Sequence, residues 1–143
     1  MSVVKAINTR AKSSAALSNT LDYIYKDKKV TEELKLVTGD YFEEKVTADL
    51  VYQQLKETKK FWNKTGGRQY KHFVISFHPD EKITPEETLL VGKEWAERCF
   101  PGFTCALASH IDSDHCHCHV VVNSVNSIDG SKVHLSKADF KQM

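Results

Sequence analysis

The chain has 143 residues, 41% hydrophobic and 27% charged, with a net charge of +1. That is enough for one domain with a real core, reads as soluble and globular, and does not by itself predict a nucleic-acid partner. No apolar run approaches the roughly 18 residues of a membrane span, and Met1 to Arg10 lacks the apolar stretch of a secretory signal, so no membrane insertion is expected.

Val3 to Ile7 reads as a first strand, followed by a polar loop over 8–13. Ser14 to Asp27 carries Leu17, Leu21 and Ile24 at helical spacing. Residues 28–46 are mixed and read as irregular. Thr47 to Lys64 repeats Leu50/Val51, Leu55 and Trp62 and predicts a helix closed by Gly66-Gly67. Tyr70 to Phe77 is a strand, with His72, Val74 and Ser76 on one face and Phe73, Ile75 and Phe77 on the other. Thr84-Pro85-Glu86-Glu87 opens a helix, with Thr as N-cap, Pro at the first helical position and Glu three residues after the cap. Val91, Trp95 and Cys99 are its expected buried face, and Pro101-Gly102 stops it. Residues 103–112 and 117–125 are two further strands with a short acidic link, and Asp129-Gly130 is a turn. The expected class is α+β: an antiparallel-rich central sheet with helices packed on one face and a three-histidine metal site on the other.

Four of the seven histidines fall between His110 and His119. In a strand, residues two apart share a face, so His117 and His119 project together. His110, on the neighbouring strand, would complete a three-nitrogen face on a divalent ion and leave a position open for a substrate oxygen. Asp112 shares the His110 face and would orient an imidazole or take a proton. His115 sits in the connection, within reach of DNA, the metal or only solvent. Asn123 lies on the His117/His119 face and is placed to hydrogen-bond a phosphate or a ligand. Cys116 and Cys118 alternate with the histidines, point to the opposite face and read as small buried apolar residues. The four cysteines include no Cys-x-x-Cys pair, which fits reduced thiols and a cytoplasmic location.

Charge is unevenly spread. Lys56, Lys59, Lys60, Lys64, Arg68 and Lys71 face a single acid, Glu57, in the same stretch. This is either a local phosphate-binding surface or a solvated helix face.

The run His110-x-Asp112-x-x-His115-x-His117-x-His119-Val120-Val121-Val122-Asn123 resembles the endonucleases named for a histidine–hydrophobic–histidine pair (HUH). Within them it looks like the conjugative relaxases of the mobilisation and Ti-plasmid border-nuclease type. Leu21-Asp22-Tyr23-Ile24 resembles that family's N-terminal motif, Lys71 to Phe77 its strand, and Thr84 to Phe100 the helix that follows. The resemblance implies one catalytic domain over 1–143, either an excised N-terminal part of a longer protein or a small relative.

It further implies His110, His117 and His119 as metal ligands and Tyr23 as nucleophile. The working ion would be manganese or magnesium, although three imidazoles by themselves favour zinc. Tyr25 competes with Tyr23 as nucleophile. Two residues along a helix turn a side chain by about 200°, so both cannot face the metal. Asp112 or His115 would serve as base. Arg10, Lys12, Tyr25, Arg68, His72, His115 and Asn123 are candidate DNA contacts, with a core role open for His72.

The implied activity is strand-specific nicking and rejoining at the transfer origin of a plasmid or integrative element. It would proceed through a 5′-phosphotyrosyl intermediate on single-stranded or hairpin DNA. The expected form is a monomer, working with an accessory DNA-binding protein and a coupling ATPase. Competing readings are a replication initiator or transposase with the same chemistry, a non-catalytic DNA-binding domain ordered by its metal, and a three-histidine zinc hydrolase.

Overall fold

The computed structural model describes residues 2–7, 13–26, 34–38, 46–78, 80–112 and 115–133. In chain order the elements are β1 (Ser2–Ile7), α1 (Ser14–Ile24), β2 (Lys35–Thr38), α2 (Ala48–Phe61), β3 (Tyr70–Phe77), α3 (Pro85–Cys99), β4 (Cys105–Asp112) and β5 (His115–Asn123). The strands form one sheet in the order β1-β3-β5-β4-β2, and every neighbouring pair is antiparallel.

Each helix starts where a side-chain oxygen can satisfy an orphan backbone N–H. Ser13 accepts from the Ala16 N–H at 3.0 Å, and Thr47 accepts from that of Leu50 at 3.2 Å. At α3 the predicted capping box is complete: Thr84 accepts from the Glu87 N–H, and the Glu87 carboxylate accepts from that of Thr84.

Helices stand on both faces of the sheet, which corrects the expectation that they share one. Opposite the histidines, α3 packs Leu89, Trp95 and Ala96 against Phe73, Ile75, Leu107, Cys118, Val120 and Val122. The other face carries α1 and α2: Leu17, Leu21, Ile24, Val51 and Leu55 pack on Tyr70, Ala106, Ala108 and Val121. The strands therefore carry apolar side chains on both faces at the α1/α2 end. The histidines hold the remainder of that face.

The buried stripe of α3 is Thr88, Leu89, Gly92, Trp95 and Ala96, while Val91 is exposed and Cys99 half-buried. The rotation is set by Gly92. Its missing Cβ lets the helix seat against Cys118 and Leu107, and a period centred on Gly92 carries Val91 outward. A second departure is β2, where the sequence reads as irregular. Four residues are too few to display an alternation. Its pairing with Cys105–Ala108 is fixed from elsewhere in the chain: Thr38 Oγ1 accepts from the Cys105 N–H, and the Leu36 carbonyl accepts from the Tyr25 hydroxyl.

Candidate metal centre

The two histidine strands form a local antiparallel pair, so the geometry of the centre follows from register. His110 lies directly opposite His117, Ala108 lies opposite His119, and the pairing runs on to Asp112 opposite His115. Directly opposed residues bring their Cβ atoms to about 5 Å and project to one face, and diagonal neighbours lie within reach of long side chains. One potential ligand atom from each of His110, His117 and His119 falls within 4.8 Å of the others. The ring centroids are 4.2 Å apart for His110–His119, 5.2 Å for His117–His119 and 5.5 Å for His110–His117. His110 and His119 are buried, and His117 is half-buried on the open side.

Two of the three rings are oriented by partners that the sequence alone does not reveal. His110 Nε2 lies 2.8 Å from the Ile24 carbonyl. A carbonyl only accepts, so Nε2 carries the proton and Nδ1 is left as the nitrogen with a lone pair. His119 Nδ1 lies 2.9 Å from His72 Nε2, so coordination through His119 Nε2 is the arrangement compatible with that bond. Burial, reinforced by the charge of nearby His110, pushes His72 down to about 4, so its ring is neutral near pH 7. Three imidazole nitrogens, two of them oriented by a hydrogen bond on the opposite ring nitrogen, suit a divalent transition ion.

Helix α1 ends at this centre. Tyr23, on its last turn, is 46% exposed. Its ring centroid is 5.9 Å from that of His110 and 5.7 Å from that of His119, edge-on in both cases. The carbonyl of the next residue, Ile24, is the one that accepts from His110, so main chain beside Tyr23 is tied to one ring of the histidine cluster. Tyr25 points the other way. It is 4% exposed, packs among Leu21, Ile24 and Val37 in the α1/α2 core, and donates to the Leu36 carbonyl. Burial pushes its phenol far above the ordinary range. Its candidacy as nucleophile or DNA contact is therefore corrected: the ring is a core residue.

Asn123 is corrected as well. It shares the histidine face as expected, but α2 covers it. Its Nδ2 donates to the Leu55 carbonyl at 3.2 Å, and its Oδ1 accepts from the Ser124 N–H. His72 is buried against His119 and offers no exposed surface for DNA. Arg10 and Lys12 lie outside the described residues, as do the side chains of Asp112 and His115.

Arg68 is exposed at the far end of β3. Arg68 is six residue steps from Val74, opposite His119, and eight from Ser76, opposite His117, so along the strand direction it is about 20 Å from the first and about 26 Å from the second. There it meets cations from two loops. Lys132, which no sequence signal singles out, donates to the Gly66 and Arg68 carbonyls. Lys64 donates to the Gly130 carbonyl. Like-charge crowding shows in their acidities. Burial and then Lys132 push Lys59 down to about 8; burial, Lys64 and Arg68 together lower Lys132. Among the described residues, the ion pairs are His78–Asp80 and Lys93–Glu97, and neither involves this end of the molecule.

A five-stranded antiparallel sheet with a three-histidine centre on its middle strands, and an exposed tyrosine set against it, defines the class: a nuclease domain of the histidine–hydrophobic–histidine type. The chain belongs to the MobA/VirD2-like relaxase nuclease-domain family, whose model matches residues 23–143. It is 30% identical over 129 residues to the protein rlx of Staphylococcus aureus, covering 90% of this chain and 36% of that protein. A second rlx of the same species is 36% identical over 89 residues, 62% of this chain and 28% of that protein. It is also 32% identical over 62 residues, 43% of this chain and 11% of the other, to the group II intron-interrupted relaxase LtrB of Lactococcus lactis subsp. cremoris. The chain thus spans about a third of the length of the rlx proteins. A solved structure described as the molecular basis of vancomycin resistance transfer in Staphylococcus aureus superposes with a TM-score of 0.64 at 12% identity, over 99% of this chain and 86% of that one; this likeness is one of fold. Among the described residues, no helix is long and apolar enough to cross a membrane.

Proposed function

We propose that the domain nicks one strand of DNA at the transfer origin of a mobile element and rejoins it, with Tyr23 as the nucleophile. The observation that carries this reading is the position of Tyr23: an exposed phenol within ring-contact distance of two of three converging histidines. A purely structural centre would not require a tyrosine there.

His110 through Nδ1, His119 through Nε2, and His117 would hold a divalent ion, magnesium or manganese, which when bound neutralises charge on the scissile phosphate and polarises phosphorus. The Tyr23 oxygen attacks phosphorus, a P–O bond forms to the tyrosine, and the bond to the 3′ oxygen breaks. The products are a 5′-phosphotyrosyl strand and a free 3′-OH. The hydroxyl proton of Tyr23 leaves as attack proceeds, and a base takes it. The sequence offers Asp112 and His115, which the backbone sets opposite one another at the end of the β4–β5 pair. The bond exchanged is one phosphodiester for another, so the reverse attack reseals the strand without ATP. Tyr23 reaches this position through the last turn of α1, which the Ile24–His110 hydrogen bond ties to the centre.

The substrate class is single-stranded or hairpin DNA. The Lys64, Arg68 and Lys132 end of the sheet offers positive potential to phosphates flanking the nick. An accessory DNA-binding protein and a coupling ATPase complete the proposed setting.

The test is a denaturing gel of the protein mixed with an origin oligonucleotide and manganese. A slow covalent band is expected with the wild type and with Tyr25→Phe, and none with Tyr23→Phe. Metal-dependent nicking without any covalent band would instead mean a water nucleophile and would overturn the transesterification.

A further inference from the structure

His72 lies on β3, two residues away in register from the residue that faces His119. Its direct partners are Ile7 on β1 and Val121 on β5, while Val74 is opposite His119. His72 is therefore a diagonal neighbour of His119, and its flanks are apolar. A buried imidazole in such a place costs free energy unless a hydrogen bond compensates it. The bond it makes is to His119 Nδ1, at 2.9 Å, with the two rings tilted by 39°. The Ile24 carbonyl serves His110 in the same way, at 2.8 Å. Two buried rings of the centre thus each have a hydrogen-bond partner aligned behind them, one from a helix end and one from the neighbouring strand.

We propose that His72 is a positioning residue whose Nε2 accepts from His119 Nδ1–H, holding His119 in the tautomer and ring angle in which its Nε2 ligates the divalent ion. This rests on the metal reading above. The chemistry constrains each proton. If His119 coordinates through Nε2, its remaining proton is on Nδ1 and donates. His72 Nε2 must then be the bare nitrogen, and the His72 proton is on Nδ1. A neutral acceptor also differs from a carboxylate in the same place. It orients the ligand without adding negative charge behind it, so the centre keeps its positive potential for a phosphodiester.

The experiment titrates the whole chain with Mn2+ and follows the free-ion signal by electron paramagnetic resonance. Circular dichroism of the metal-free proteins checks folding. His72→Phe fills the space and removes the acceptor; the expected result is a loss of Mn2+ affinity of about 10- to 100-fold. His72→Gln places an amide oxygen near the Nε2 position and is expected to recover most of that loss. Equal affinity in the wild type and His72→Phe, or equal loss in Phe and Gln, would overturn the proposal and leave His72 a core filler.

If His72→Phe does not fold, nitrogen-15 spectra of the wild type with Mg2+ decide the point. His119 protonated at Nδ1 and His72 bare at Nε2 support the assignment, and the reverse pattern overturns it. Failure of the metal reading itself looks different: the wild type would bind no ion, or His110→Ala and His117→Ala would bind it as well as the wild type does.

Discussion

Gly92 is where α3 touches the strand that carries His117 and His119, so a single methyl group there tests the packing beneath the centre. A Cβ built on Gly92 would lie 2.4 Å from Cys118 Sγ, 3.1 Å from Leu107 Cδ2 and 3.3 Å from Cys118 Cβ. Cys118 and Leu107 are fully buried. Leu107 can yield by a few tenths of an ångström, but the short Cys118 side chain has only χ1 to turn and a closed core to turn in.

Overpacking of this kind costs about 1–3 kcal/mol. Replacing a mid-helix glycine by alanine returns about 1 kcal/mol. Gly92→Ala should therefore destabilise the fold by about 1 kcal/mol, lowering the melting temperature by about 4 °C in a domain of this size. In a Cys118→Ala background the closest atom is gone, and the same substitution should become stabilising by up to about 1 kcal/mol. The coupling between the two sites is then about 2 kcal/mol, well beyond what independent sites show.

Urea unfolding of the four proteins of the cycle, without metal, measures it. Because Cys118 lies between His117 and His119, the same cycle should appear in Mn2+ affinity, weakened by Gly92→Ala and recovered in the double variant. An effect of Gly92→Ala that is the same in both backgrounds would refute the argument that this contact sets the seating of α3.

Two further predictions follow from groups buried on the other face. Lys59 is 2% exposed and is pushed down to about 8 by burial and by Lys132, below the ordinary lysine value of 10.5. The unfolded chain therefore holds this proton more tightly than the fold does, so this group's contribution to stability rises between about pH 8 and 10.5 and is lowest below 8. Lys59→Met is expected to be more stable than the wild type at pH 6.5, by an upper bound of about 3 kcal/mol, with the gap closing by pH 10.5; a gap independent of pH in urea melts would contradict this. Asn123→Ala removes one donor from the Leu55 carbonyl, which still accepts from Lys59 Nζ, and leaves the Ser124 N–H without its side-chain acceptor. It should cost about 1–3 kcal/mol of stability while leaving oligonucleotide affinity unchanged in a fluorescence anisotropy titration; a weakened affinity in the folded variant would restore Asn123 as a DNA contact.

The convergence of His110, His117 and His119 was legible in the chain because strand geometry is local. A period of two puts His117 and His119 on one face, and a short link folds His110 back opposite His117, so the spacing of seven and two already implies convergence. The helix starts were legible for a similar reason, since a cap is a contact between residues three apart. The rotation of a helix about its own axis is not local. By helical spacing alone Tyr23 and Tyr25 are equivalent, and only the family resemblance of Leu21-Asp22-Tyr23-Ile24 favours Tyr23. In the structure they are separated by which side of α1 the Ala106–Ala108–Val121 surface draws inward, and that leaves Tyr23 at the histidines and Tyr25 under Leu36. Asn123 shared the correct face, yet whether that face met solvent depended on where α2 lay. The partners of the clustered histidines were invisible for the same reason: His72 and His119 are 47 residues apart, and Ile24 and His110 are 86 apart. The sequence by itself determined which residues could gather on one face of a strand. Only the tertiary structure decided which of them met solvent, which were covered, and which carbonyl or imidazole stood behind each ring, because those outcomes depend on packing between elements far apart in the chain.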